Sequence, residues 1–187
     1  AGRKGAVTTV AEDEHPRPDT TLEKMASLRP LDPAGVVTAA NASGINDGAA
    51  ALLIGQNGLG PAPRGRILAG AVSGVAPRVM GIGPALAIPK ALSRAGLSLE
   101  QMDVIEINEA FASQVLACCK ALDLSPDDSR LNPNGGAIAV GHPLGASGAR
   151  LMLTGLRQLE ASGGRYGCLS MCIGFGQGSA VIIERLK

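Results

Sequence analysis

Residues 134–148 place five glycines, one histidine and one proline in fifteen positions, with no side chain larger than histidine, leucine or isoleucine. Glycine at this density lets backbone approach a ligand or a second element closely, and Pro143 stiffens the chain beside His142. On both sides of this segment the apolar spacing alternates between strand and helix periods. Residues 67–72 and 104–107 read as strands. Residues 82–95 have helical spacing, with Pro84 in the first turn and Pro89 at a possible kink. A helix over 109–122 sets Phe111, Val115, Cys118 and Leu122 on one face, and a helix over 146–161 does the same with Met152, Leu156 and Leu159. Strands at 168–173 and 180–184 flank a glycine-rich turn as a hairpin-like pair. This order predicts an α/β domain over 66–187, its sheet mostly parallel with an antiparallel edge pair.

Residues 1–65 read differently. The first 35 are mixed in charge, rich in Pro and Thr, and show no core pattern; Glu12 to Pro18 suggests an extended surface segment. Turn and cap residues over 41–48 open onto Ala49-Ala50-Ala51-Leu52-Leu53-Ile54, a short helix or buried strand, and 55–65 read as a boundary loop.

Composition narrows the function classes. Lys and Arg number 17 against 16 Asp and Glu, a net charge of +1, so no nucleic-acid footprint is expected. Hydrophobic residues at 45% exclude a disordered segment. With two Phe, one Tyr and no Trp, the core must be built from small aliphatic side chains that let layers pack closely. No apolar run approaches the ~20 residues that would cross a bilayer, so no membrane partner is expected. The four cysteines all fall at or after Cys118, which points to a reducing, cytoplasmic compartment rather than a disulfide framework. Adjacent Cys118-Cys119 and the Cys168/Cys172 spacing match no paired zinc-ligand pattern, and no phosphate-loop motif is present; no metal is expected.

Three segments put polar residues where strands end. Asn108-Glu109 follows the strand ending at Ile107; the plain reading is a helix cap, with the Asn108 carboxamide accepting a backbone N–H and Glu109 favoured by the helix dipole. His142 could merely cap the next helix, but a histidine held among glycines is also how a general base is presented. Cys172 could be a buried strand thiol. At a strand end with glycine amides just beyond, it is equally placed for proton transfer, and the Gly174 amide for receiving an oxyanion. Cys118 and Cys119 lie within a helix and read as structural.

Taken in order, Asn108-Glu109-Ala110-Phe111-Ala112, the run from Gly135 to Gly148 and Cys172-Ile173-Gly174-Phe175-Gly176-Gln177-Gly178 resemble three late signatures of the thiolase family. The runs Asn41–Ala49 and Val79–Pro84 match it as well, so the resemblance covers essentially the whole chain. Within the family, Arg130–Gly136 and Ser113-Gln114 look most like the bacterial β-ketoadipyl-CoA subgroup. The resemblance implies a thiolase-like α-β-α domain with a mixed five-stranded sheet, residues 1–65 being a remnant of the N-terminal domain and its loop region. It implies an acyltransferase that cleaves 3-ketoacyl-CoA with CoA, or condenses acyl-CoA units, through an acyl-cysteine. Coenzyme A is then a substrate, and no bound cofactor is implied.

The implied roles are those of His142 as base and enolate-oxygen ligand, Asn108 holding a water for that oxyanion, Cys172 as acid/base at the α-carbon, and the Gly174 N–H in the acyl oxyanion site. Ala42 and Ser43 would contact the pantetheine arm, and Met80 and Phe111 would line its tunnel. Phe175 stands where many relatives carry glycine, with a possible effect on the acyl pocket, and 56–64 is short beside many relatives. The family's acyl-accepting cysteine lies in an N-terminal half, whereas no cysteine precedes Cys118 in this chain. The expected partners are an acyl-CoA, the missing N-terminal half and, in the full protein, a second or further copies in a homodimer or homotetramer. A start at Ala1, without Met, reads as a chain cut from a larger enzyme. Two rivals share features with this reading: a ketosynthase-like condensing enzyme, for which a second catalytic cysteine at Cys172 is unexpected, and a catalytically dead acyl-CoA-binding or assembly module.

Overall fold

The computed structural model describes residues 9–56 and 58–186; the first eight residues, Asn57 and Lys187, which the sequence reading assigned to the leading segment, the boundary loop and the domain's end, lie outside the described residues. Among the described residues from 9 to 64 there is one regular element, the five-residue helix α1 (Leu22–Ala26), capped by the Thr21 side chain and burying nothing. The expected short helix or buried strand at Ala49–Ile54 is absent. The segment is irregular, and Leu53 and Ile54 are exposed because nothing in the described chain covers them.

The compact part runs β1 (Gly65–Gly74), a 3₁₀ turn (Pro77–Ile82), α2 (Gly83–Ala95), β2 (Val104–Ile107), α3 (Ala112–Ala121), α4 (Ala137–Val140), α5 (Leu144–Ser162), β3 (Tyr166–Ile173) and β4 (Gln177–Arg185). The sheet order is β1-β4-β3-β2. α2 and α3 cover one face through a core containing Ile88, Ile105, Ile107, Cys118, Cys168 and Ile182, and α5 covers the other over Val104, Leu159, Leu169 and Ile183. These three layers match the expected α-β-α arrangement.

Two expectations about the sheet are corrected. β4 pairs antiparallel with both β1 and β3, and only β2 and β3 are parallel. β1, β2 and β3 therefore all run the same way, and β4 alone is reversed by the tight turn after Ile173. Because β4 inserts between β3 and β1 instead of lying at an edge, one reversed strand makes two of the three ladders antiparallel. The sheet also has four strands rather than five among the described residues. Beside the free edge of β2 lies one parallel bridge, Ile105 to Leu131, with Arg130 and Asn132 exchanging backbone bonds with Ile105. Asn132 has φ +43° and Pro133 follows, so no strand can extend there. Its carboxamide takes over the ladder, accepting from the Ile107 N–H at 2.9 Å and donating to the Ile107 carbonyl at 3.0 Å.

Small residues set how closely α2 lies on the sheet. A Cβ on Gly83 would sit 2.5 Å from the Gln177 carbonyl oxygen, and one on Gly178 would run into the Gly83 backbone. The two glycines thus let the start of α2 rest on the β4 backbone. Pro89 is accommodated within α2 on its exposed side, and the helix ends at Gly96 with φ +68°.

Candidate active site

β2 and β3 run parallel, so their C-terminal ends share one rim of the sheet. The Asn108 N–H donates to the Ser170 carbonyl at 2.9 Å, which fixes the residue after β2 beside β3 just before Cys172. Asn108 is 1% exposed and is no helix cap: α3 starts later, at Ala112, with Phe111 as its cap residue. The carboxamide faces His142 instead, its Nδ2 lying 3.4 Å from the imidazole Nε2. His142 likewise does not cap α5, whose cap residue is Pro143 with no side-chain bond.

The bonds around this pair define the donor of each atom. The Ser147 hydroxyl donates to the Pro143 carbonyl at 3.1 Å, leaving its oxygen to accept from His142 Nδ1–H at 2.6 Å. The Arg150 Nη2–H donates to Asn108 Oδ1 at 3.3 Å, so the amide Nδ2–H end faces the imidazole. His142 therefore carries its proton on Nδ1, with the Nε2 lone pair turned towards Asn108. Burial, reinforced by the positive charge of Arg150, holds the His142 pKa below the ordinary histidine value. A neutral imidazole with an unprotonated Nε2 is the form a general base requires.

Cys172 is buried near the end of β3, and burial pushes its thiol pKa up, with its own backbone partly opposing the rise. The thiol accordingly keeps its proton at neutral pH. Gly174 follows in the exposed β3–β4 turn, where a Cβ would meet nothing within 4 Å. Phe175 has φ +63° and is 93% exposed, so within this chain its ring lines no pocket. Cys118 and Cys119 are both buried in α3; burial pushes each thiol up, and the Cys118 thiol donates to the Gly81 carbonyl.

The pantetheine candidates divide. Ala42 bridges to Phe111 in antiparallel register, and the Ser43 N–H and hydroxyl both donate to the Ala110 carbonyl, at 3.0 and 3.2 Å. These residues dock the 41–43 segment onto the loop that carries Asn108. Phe111 is half-buried at that junction. Met80 lies in the 3₁₀ turn, half-buried, on an element packed against α3 and β3.

The structure adds residues that the sequence reading passed over. His15, read as part of an extended surface segment, packs inward. Its Nε2–H donates to the Ile138 carbonyl at 3.1 Å and its Nδ1 accepts from Asn46 Nδ2 at 3.4 Å. Asn46 Oδ1 in turn accepts the His142 N–H at 3.2 Å, alongside the Gly44 carbonyl at 3.0 Å. Gly141, at φ +92°, makes room for the Asn46 side chain where a Cβ would collide with it. Glu109, read from the sequence as sitting at a helix start, instead precedes α3 and accepts from Asn132 Nδ2 at 3.3 Å and from the Ile138 N–H at 3.2 Å, tying the loop after β2 to the glycine-rich segment. Only the spacing of Ser147 and Arg150, one helical turn apart, hinted that they share a face.

The family model described as "Thiolase, C-terminal domain" matches residues 62–185, and that described as "Thiolase, N-terminal domain" matches residues 1–58. Beta-ketoadipyl-CoA thiolase of Acinetobacter baylyi is 59% identical over 98% of this chain and 47% of its own length. A protein of the same name from Pseudomonas aeruginosa is 58% identical over 99% of the chain and 47% of its length. The crystal structure of Bacillus anthracis acetyl-CoA acetyltransferase superposes with a TM-score of 0.89 at 47% identity, covering 94% of this chain and 45% of that one. Human mitochondrial 3-ketoacyl-CoA thiolase in complex with CoA gives 0.82 at 44% identity, covering 96% and 46%. The chain spans about half the length of the curated relatives it matches.

Proposed function

Because this chain belongs to the thiolase family, we propose that it is the C-terminal portion of an acyl-CoA acyltransferase that works through an acyl-cysteine supplied by the remaining half. The observation that carries the reading is the direct His142–Asn108 contact at the rim where β2 and β3 end, beside Cys172 and Gly174. In the thiolysis direction the nucleophilic thiol gives its proton to His142 Nε2, and the thiolate attacks the keto carbon of a 3-ketoacyl-CoA. The C2–C3 bond then breaks, leaving an acyl-cysteine and the enolate of acetyl-CoA. His142, now carrying Nε2–H, and Asn108 through a water stabilise the enolate oxygen; the Cys172 thiol protonates C2. The resulting Cys172 thiolate takes the proton of CoA, whose sulfur attacks the acyl-cysteine while the Gly174 N–H steadies the oxyanion; the acyl–cysteine C–S bond then breaks, releasing acyl-CoA, and the freed cysteine thiolate recovers its proton from His142 Nε2–H.

Ala42 and Ser43 are assigned to the pantetheine arm, with Met80 and Phe111 along its tunnel. The 3-ketoacyl substrate is assigned to the β-ketoadipyl-CoA class, on the names of the two bacterial relatives. Residues 1–65 are assigned to the N-terminal domain and 66–187 to the C-terminal one, supported by β1 beginning at Gly65. Covering by the other half accounts for the exposed Leu53 and Ile54, and the whole enzyme is assigned to a homodimer or homotetramer. No helix among the described residues is long and apolar enough to cross a membrane, and a cytoplasmic site is assigned on the cysteine usage.

The test is thiolysis of acetoacetyl-CoA, followed by loss of enolate absorbance. The chain alone is expected to be silent, because its four cysteines are all buried and none precedes Cys118. Joined to the upstream half it should turn over, and Cys172→Ala in that protein should abolish thiolysis while the upstream cysteine still accumulates acyl groups by mass spectrometry. Turnover by the chain alone would overturn the need for an upstream nucleophile, and full thiolysis by the Cys172→Ala enzyme would overturn the acid/base role of Cys172.

A further inference from the structure

Behind the His142–Asn108 pair lies a charged residue that the acyl-transfer mechanism does not use. Arg150 stands on α5, which packs across β2 and β3. Its Nη2–H is bonded to Asn108 Oδ1 at 3.3 Å, while its Nε is buried without a partner. Leaving an inward guanidinium partly unpaired is costly, so its placement against Asn108 needs a reason. A free Asn108 carboxamide could turn either end to His142. The oxygen end would hold a proton on Nε2, and the nitrogen end leaves Nε2 a lone pair.

We propose that Arg150 is a positioning residue for the acyl-transfer site: by donating to Asn108 Oδ1 it keeps the amide nitrogen towards His142 and so keeps Nε2 unprotonated, its lone pair facing the amide N–H. The inference rests on the acyltransferase reading for its consequence, since only there is Nε2 the atom that takes the thiol proton. Its structural content is independent of that reading. Ser147 acts from the opposite side on Nδ1, so two α5 residues one turn apart bear on the imidazole, Ser147 directly and Arg150 through Asn108. The charged group shown acting with Arg150 is Glu106 on β2, where Arg150 opposes the effect of burial and Glu109, in the loop after β2, adds to it. Arg150 can thus act on His142 in two ways: through space as a positive charge, or through the orientation of Asn108.

NMR titration of His142 in this chain separates the two, with the resonance assigned against a His15→Gln sample. The comparison is a double-mutant cycle of wild type, Arg150→Met, Asn108→Ala and the pair. Positioning through Asn108 predicts that Arg150→Met raises the His142 pKa and that this rise shrinks in the Asn108→Ala background. A rise of equal size in both backgrounds would assign Arg150 to through-space charge alone and overturn the proposal, as would no rise. If thermal melting shows that Arg150→Met does not fold, Arg150→Lys decides: it keeps the charge but not the planar donor. An upward shift in Arg150→Lys supports positioning, and an unchanged titration overturns it. No substrate is needed, so the outcome is separate from that of the thiolysis assay.

Discussion

Glu106 offers the sharpest quantitative test of how this rim is built. All four residues of β2 are buried, and Glu106 is 1% exposed with its Oε1 lacking any partner. Burial raises its pKa from 4.5 to about 7, with Glu109 adding to the rise and Arg150 opposing it. The folded state therefore holds the Glu106 proton longer than the unfolded chain does. Below 4.5 both states are protonated and the group costs nothing; as pH climbs from 4.5 through 7 the folded state must carry a charge it disfavours. At about 1.4 kcal/mol for each pH unit, the full cost above neutrality is roughly 3 kcal/mol. Glu106→Gln keeps the shape and removes the charge. Its stability relative to wild type should be nearly constant below pH 4.5 and rise through neutrality, by roughly 3 kcal/mol at pH 8.5. In melting temperature that is roughly 6–12 °C for a chain of this size. Urea unfolding followed by circular dichroism at pH 4, 7 and 8.5 measures it. Other titrating groups are common to both proteins and cancel to first order. A difference between the two proteins that does not change with pH would refute the account of Glu106 as a carboxylate held against its charge.

Two further substitutions probe the surrounding geometry. Ser147→Ala leaves the buried His142 Nδ1–H without an acceptor and should cost about 1–3 kcal/mol; an unchanged urea midpoint would show that the 2.6 Å contact stabilises nothing. Phe175→Gly releases a left-handed residue at φ +63° that is 93% exposed, so it gives up strain and almost no burial. Allowing for the greater freedom of glycine in the unfolded chain, a gain of up to about 1 kcal/mol is expected, and a loss on thermal melting would contradict the strain argument.

The helices and strands were legible because their signals are local. The helical face of Val115 and Cys118, the strand at Val104–Ile107 and the turn after Ile173 all depend on residues within a few positions of one another. Other features depend on contacts between distant segments. The Ala49–Ile54 run has the composition of a buried element yet lies exposed, since burial depends on what covers a segment and not on its own apolar content. His15 looked like a surface residue among charges and prolines; its contact with Ile138 spans 123 positions, beyond any periodicity. Arg150 carried no motif, because its meaning lies in which end of Asn108 it touches.

By itself the sequence determined the inventory: His142 among glycines, Asn108 after a strand, Cys172 and Gly174 at another strand's end, and small residues where layers must meet. Each is a property of residue identity and near-neighbour spacing. Only the tertiary structure decided that β4 lies between β3 and β1, that Leu131 and Asn132 bridge to the edge of β2 without forming a strand, and that the imidazole meets Ser147 of α5 at Nδ1 and Asn108 at Nε2. Those outcomes come from competition among distant segments for the same hydrogen bonds and the same buried surface. A one-dimensional pattern does not record which segment wins.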